Sequence, residues 1–222
     1  MQVAPGLPDR PTSRWLILDG QGRVLLFRFV NPPTGFYMFS ESRRLGGVQR
    51  DWVPLEQIAP VMARAAVAAE DANFCNHWGF DMQAIRTAIE NGSARGASTI
   101  SQQTVKNVYL WHGRSWLRKA LEAGMTPLVE TLWPKRRIIE VYLNVAEFDE
   151  GVFGVGAAAP HYFGVAAADL SATQAARLAA ILPDPKERSA SRPGDFTRKR
   201  TAQIMDGAAT IRADGRAACF ES

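Results

Sequence analysis

Apolar residues recur with a helical period along most of the chain from residue 55 onward. Residues 60–71 are alanine-rich and open on Pro60, a favourable first helical position. Asp81 is placed to cap a helix with Met82, Ile85 and Ile89 on one face, ending near Gly92. Residues 99–110 form a third predicted helix. Ser115 caps a long fourth, with Leu117, Leu121, Met125, Leu128 and Leu132 in one stripe and a kink expected at Pro127. Residues 135–147 carry Ile138, Ile139, Tyr142 and Leu143 as an apolar face. Ser171 and Gln174 make a capping-box pattern before an apolar run that Pro183 and Pro185 end, and a last helix covers 196–212. The glycine-rich residues 151–156 lack the lysine of a phosphate loop and read as a tight connection.

The first fifty residues have no such period. Residues 15–30 read as a hairpin of two short apolar strands around Asp19, Gly20, Gln21 and Gly22. Charges at Asp19, Arg23 and Arg28 make the stretch a poor spanning helix, and no signal peptide is apparent. Phe36, Tyr37, Met38 and Phe39 precede Arg43 and Arg44; they read as a loop folding onto the core, the alternative being a membrane-interface contact.

Composition adds little beyond class. A hydrophobic share of 46% over 222 residues describes a globular protein able to bury a core. A net charge of +4 suits a polyanionic partner without selecting one. Cys75 and Cys219 show no zinc spacing; two separate thiols and one disulfide are equally weighted readings.

Candidate chemistry gathers in three places. Glu70 and Asp71 end the alanine-rich helix, an uncommon position for acids unless they have a task. Thr99, Gln103 and Lys106 share one polar helix face flanked by Gln102, with types suited to sugar hydroxyls and a phosphate. Glu122 stands at the edge of the fourth helix's stripe beside Arg118 and Lys119; spacing alone favours a surface ion pair. Were Lys106, Arg114, Arg118 and Lys119 to share a cleft with Glu70, one base and several cations would suit glycosyl transfer from a phosphate-activated donor. A glycosidase would instead need an acid to protonate its leaving group.

Five segments in order resemble glycosyltransferase family 51, the peptidoglycan transglycosylases, and most closely its monofunctional members. They are residues 70–81, 96–107, 118–122 and 135–144 and the run from Leu178 to Pro185, so that the likeness spans about 48–205. The resemblance implies a mainly α, lysozyme-like fold with a small lobe over the active-site cleft. It implies three parts: an N-terminal segment 1–47, a transglycosylase domain 48–215 and a tail 216–222. It implies polymerisation of lipid II into β-1,4-linked glycan strands with release of undecaprenyl pyrophosphate.

Glu70 would be the general base and Glu122 a second catalytic glutamate, orienting cations or a divalent ion. Asp71, Phe74, Ser98, Thr99, Gln102, Gln103, Lys106, Asn107, Arg114, Arg118 and Lys119 would bind substrate. His77, Gly79 and Asp81 would shape the loop. A divalent cation (Mg or Mn) and no organic cofactor are implied. So are a membrane surface and cell-wall or cell-division proteins as partners, and a place on the periplasmic face of the inner membrane. The chain departs from the family at Ala97, in its short segment from Asp81 to Gly96, and in lacking a membrane anchor and a transpeptidase domain. A lysozyme-like hydrolase and a catalytically silent scaffold are the alternatives. Nucleic-acid binding is disfavoured because the cations lie among acids.

Overall fold

The computed structural model describes residues 20–90, 92, 98–113 and 115–221. Among them helices predominate. In chain order they are α1 (Gly20–Phe27), α2 (Phe36–Leu45), α3 (Pro60–Glu70), α4 (Met82–Glu90), α5 (Ile100–Tyr109) and α6 (Trp116–Leu132). Then follow α7 (Lys135–Val145), α8 (Val155–Phe163), α9 (Ala172–Ile181), α10 (Asp195–Ala213) and α11 (Ala218–Glu221). The caps foreseen at Ser115 and Ser171 are present, and Thr99 forms a full capping box with Gln102.

Two helix groups build the body. In one, α3, α9 and α10 pack on one another. Alanines make this close packing feasible: α3 buries Ala63, Ala65 and Ala66, and α9 buries Ala175, Ala176, Ala179 and Ala180. In the other group α5 packs between α6 and α7. Asn144 of α7, fully buried, ties in the extended segment before α3: it accepts from Val53 N (2.8 Å) and donates to Val53 O (2.9 Å).

Three expectations are corrected. Residues 20–27, placed in a hairpin, form α1; the rest of that hairpin before residue 20 lies outside the described residues. Helix α1 packs against α6, with Val24 fully buried and its carbonyl accepting from Trp133 Nε1 at 2.6 Å. The aromatic run from Phe36 is helix α2, not a loop: Tyr37 and Met38 go inward, while Phe36 and Phe39 stay exposed. Helix α2 starts at Gly35, where an added Cβ would stand 2.3 Å from Asn107 O, so this glycine lets α2 rest on α5. Third, the helical reading after residue 55 omitted a small sheet. Strands β1 (Gln49–Arg50), β2 (Glu147–Asp149) and β3 (Val152–Phe153) lie in the order β1-β3-β2, β1 parallel and β2 antiparallel to β3. Helix α7 accordingly stops at Val145.

The stripe on α6 also runs differently. Leu117 and Leu121 are exposed, and the buried positions are Glu122, Thr126 and Val129. The helix continues through Pro127. At the C-terminal end Cys75 and Cys219 form a disulfide with Cα atoms 5.7 Å apart. With Phe220 buried against Phe74, it fastens α11 to the turn that follows Glu70.

Candidate active site

The loop after α3 is held from all sides. Asp71 is 6% exposed: one carboxylate oxygen accepts from Ile100 N at the start of α5 (2.9 Å), the other from His77 Nε2 (2.7 Å). His77 Nδ1 accepts from Gly79 N (3.1 Å), which assigns its proton to Nε2. Gly79 has φ +85°, and a Cβ there would fall 2.4 Å from Thr126 Cγ2 on α6. Thr99 Oγ1 donates to its carbonyl at 2.7 Å. Asp81 accepts from Asn73 Nδ2 and Ala84 N, both at 2.9 Å. Lys135 Nζ donates to His77 O (2.8 Å) and lies 4.4 Å from the centre of the Phe74 ring. His77, Gly79 and Asp81 therefore shape the loop.

This framework aims Glu70. Its Oε2 accepts from Gln103 Nε2 at 2.8 Å, and Oε1 has no hydrogen-bond donor among the described residues. Burial pushes the carboxyl above the ordinary carboxylate range, against the Gln103 hydrogen bond and the fields of Arg200 and Lys106. Such a group suits a general base at neutral pH. Glu70 borders a smaller pocket of ≈ 280 Å³ with Asp71, Asn73, Asp81, Ser98 and Thr99. Through Gln103 it reaches a larger cleft of ≈ 580 Å³.

Helix α2, helix α5, Tyr142 of α7 and the segment 182–187 line that cleft. Gln103, Lys106 and Asn107 face it together, one α-helical turn apart. Burial lowers the Lys106 ammonium from its usual range, and the Glu122 carboxylate works against this. An anionic ligand would favour the charged form further. The far wall is an ionic network: Glu41 is held at about 2, chiefly by Arg44, and Lys186 donates to it at 2.8 Å. Tyr37 OH donates to Glu147 at 2.5 Å, and His112 stacks on Tyr37 at 4.1 Å.

Glu122 is 2% exposed, so it is no surface ion pair. Arg118 Nη1 donates to it at 2.9 Å and Lys119 Nζ to its other oxygen; Lys119 also reaches Ser98 Oγ at 3.2 Å. Glu122 fixes two cations that line neither pocket but whose fields reach Lys106, a positioning task. Two expected binding residues are corrected. Phe74 is fully buried and packs on His77 and Phe220, because the loop closes over it. Gln102 is 4% exposed and occupied by the Thr99 capping box. Asp71 and Thr99 border the smaller pocket, but their polar atoms serve the scaffold. Arg114 lies outside the described residues. Motif reading missed Tyr37, Glu41, His112, Glu147 and Lys186 as cleft residues. They come from distant segments, and no spacing in the sequence joins them.

A resident divalent ion does not fit the donors present. The oxygens of Glu122 are taken by cations and those of Asp71 by Ile100 N and His77. Among the described residues no group of three His, Cys, Asp or Glu side chains is arranged to hold a metal.

Lys106→Ala is expected to lower kcat/KM about 10- to 100-fold, the worth of one buried charge-assisted contact. Steady-state polymerisation kinetics check this, and an unchanged kcat/KM would remove Lys106 from the site.

The transglycosylase family profile matches residues 39–209. A biosynthetic peptidoglycan transglycosylase of Jannaschia sp. (strain CCS1) is 62% identical, the alignment covering 93% of this chain and 90% of the relative. The proteins of the same description from Caulobacter vibrioides and Pseudomonas fluorescens (strain SBW25) are each 48% identical, over 88% and 91% of this chain and 87% and 88% of theirs. Because the profile runs from within α2 to within α10 and relatives at 48% and 62% identity cover 88% and 93% of the chain, the chain belongs to the transglycosylase family, as a peptidoglycan glycosyltransferase of cell-wall biosynthesis.

Proposed function

We propose that this cleft polymerises lipid II, with Glu70 as general base. The observation that carries the reading is the partly buried Glu70 carboxylate, held by Gln103 on the helix that also presents Lys106 to the cleft. The acceptor's GlcNAc 4-hydroxyl gives its proton to Glu70. Its oxygen attacks C1 of the MurNAc at the reducing end of the growing strand, with inversion. The C1–O bond to phosphate breaks, and both electrons leave with undecaprenyl pyrophosphate. That leaving group needs charge neutralisation and no proton, which suits Lys106, Arg118 and Lys119. No step is routed through a divalent ion.

The pH dependence of kcat/KM tests the base. The carboxylate must be ionised to act, and its pKa is raised, so activity is present above that pKa and falls as pH drops through it. The acid limb is expected clearly above the ordinary glutamate value of about 4.3. A limb at or below that value would contradict the assignment.

The same reading places the protein at the outer face of the inner membrane. The Cys75–Cys219 disulfide suits an oxidising compartment. No helix among the described residues is long and apolar enough to cross a membrane. Helices α1 and α6 pack together, and both carry exposed apolar side chains: Leu25 and Leu26 on one, Trp116 and Leu117 on the other. Phe29 and Phe39, also exposed, each have an arginine over the ring, Arg28 and Arg43. Apolar rings beside cations suit an anionic bilayer surface. Co-sedimentation with anionic vesicles should exceed that with neutral ones and weaken in Phe29→Ser/Phe39→Ser; equal binding by all would contradict this surface.

A further inference from the structure

Tyr142 lines the cleft from α7 and is 1% exposed. Its hydroxyl has no hydrogen-bond partner among the described residues. A buried hydroxyl left unpaired is destabilising, so a phenylalanine would serve packing better. Among the described residues the other buried side-chain polar atoms in this condition belong to Arg50, Trp52 and Tyr109, none of which lines the cleft.

Of the two carboxylates whose fields reach this hydroxyl, Asp71 is fully engaged, while Glu70 Oε1 has no donor among the described residues and is not bonded to Tyr142. Gln103 donates to Glu70, Asp71 is shared between Ile100 N and His77, and the Asn144 amide is bound to Val53. We propose that the Tyr142 hydroxyl binds substrate directly, donating its O–H to a sugar hydroxyl oxygen on the floor of the cleft beside Glu70. This rests on Glu70 being the base. A sugar hydroxyl fits both partners, because it can accept from Tyr142 through a lone pair and offer its own proton to Glu70. A phosphate oxygen fits poorly: the negative fields of Glu70 and Asp71 reach the Tyr142 hydroxyl and would repel it. Burial and those fields also keep the phenol protonated far above its ordinary range, so it acts as a donor and not as a base.

Tyr142→Phe in the full chain tests this, alongside Glu70→Gln and the double variant, by thermal unfolding and lipid II polymerisation kinetics. The expected result for Tyr142→Phe is a Tm equal to or above wild type. Its kcat falls about tenfold with KM nearly unchanged, the effect of one neutral hydrogen bond made at the reacting group. The double variant should be no slower than Glu70→Gln alone. Wild-type kcat in folded Tyr142→Phe, or a kcat loss accompanied by a lower Tm, would overturn the proposal. Glu70→Gln inactive with Tyr142→Phe at wild-type rate would remove Tyr142 only. Glu70→Gln at wild-type rate would remove the base itself, and the proposal with it.

Discussion

Glu70→Gln is expected to lower the polymerisation rate about 10³-fold, within the range that a positioned general base contributes. The amide keeps the size of the side chain and can still accept from Gln103 Nε2, which donates to Glu70 at 2.8 Å. What it loses is the capacity to take a proton. Stability should move the other way. The folded-state pKa of Glu70 is raised, so folding disfavours its ionised form. Wild type therefore loses stability as pH rises from the unfolded-state pKa through the folded one, and the glutamine variant has no such loss. At neutral pH its Tm should equal or exceed that of wild type. A variant that still polymerises near the wild-type rate would refute the base. A large fall in Tm would make any lost activity structural.

Glu122→Gln should be the most destabilising change in the site. Its carboxylate is 3% exposed and compensates Arg118, itself only 14% exposed. Removing one partner of a buried pair leaves the other charge without compensation, at a cost of about 3 kcal/mol. For a chain of this length that is roughly 6–12 °C in Tm. Lys119, half exposed, can find water and adds less. Because Arg118 and Lys119 lose their anchor, KM for lipid II should rise about tenfold while the pH limb set by Glu70 stays in place. Differential scanning calorimetry and steady-state kinetics check the two halves. An unchanged Tm with an unchanged KM would show that Glu122 orders nothing.

The sequence was most legible where local rules act alone. Capping residues at Asp81, Ser115 and Ser171 marked helix starts correctly, since a cap needs only its own first turn. It was least legible where tertiary packing overrides local pattern. Leu117 and Leu121 continue an apolar stripe on α6 whose later members Met125 and Leu132 pack against the core, yet these two leucines are exposed, and Glu122 and Thr126 are buried instead. The polar atoms of the buried face are engaged: Thr126 donates to Glu122 O, and Glu122 holds two cations. Gly20 and Gly22 suggested a turn, but the packing of Val24 beneath Trp133 favours a helix. The hairpin of β2 and β3 carried a signal: Phe148 and Phe153 are both fully buried on either side of Asp149, Glu150 and Gly151. In the site, Glu70, Gln103 and Lys106 were readable because they fall on two short helices. The opposite wall was not, because Tyr37, Glu147 and Lys186 meet from segments more than thirty residues apart.

Glycosyl transfer by this cleft is tested most directly by supplying the purified chain with lipid II, beside a parallel sample of mature peptidoglycan, and separating the products by size and by lipid content. The expected result is long β-1,4-linked strands appearing together with free undecaprenyl pyrophosphate, in amounts that match bond for bond. Short sugars released from mature peptidoglycan, with no strands formed from lipid II, would show a hydrolase and contradict it.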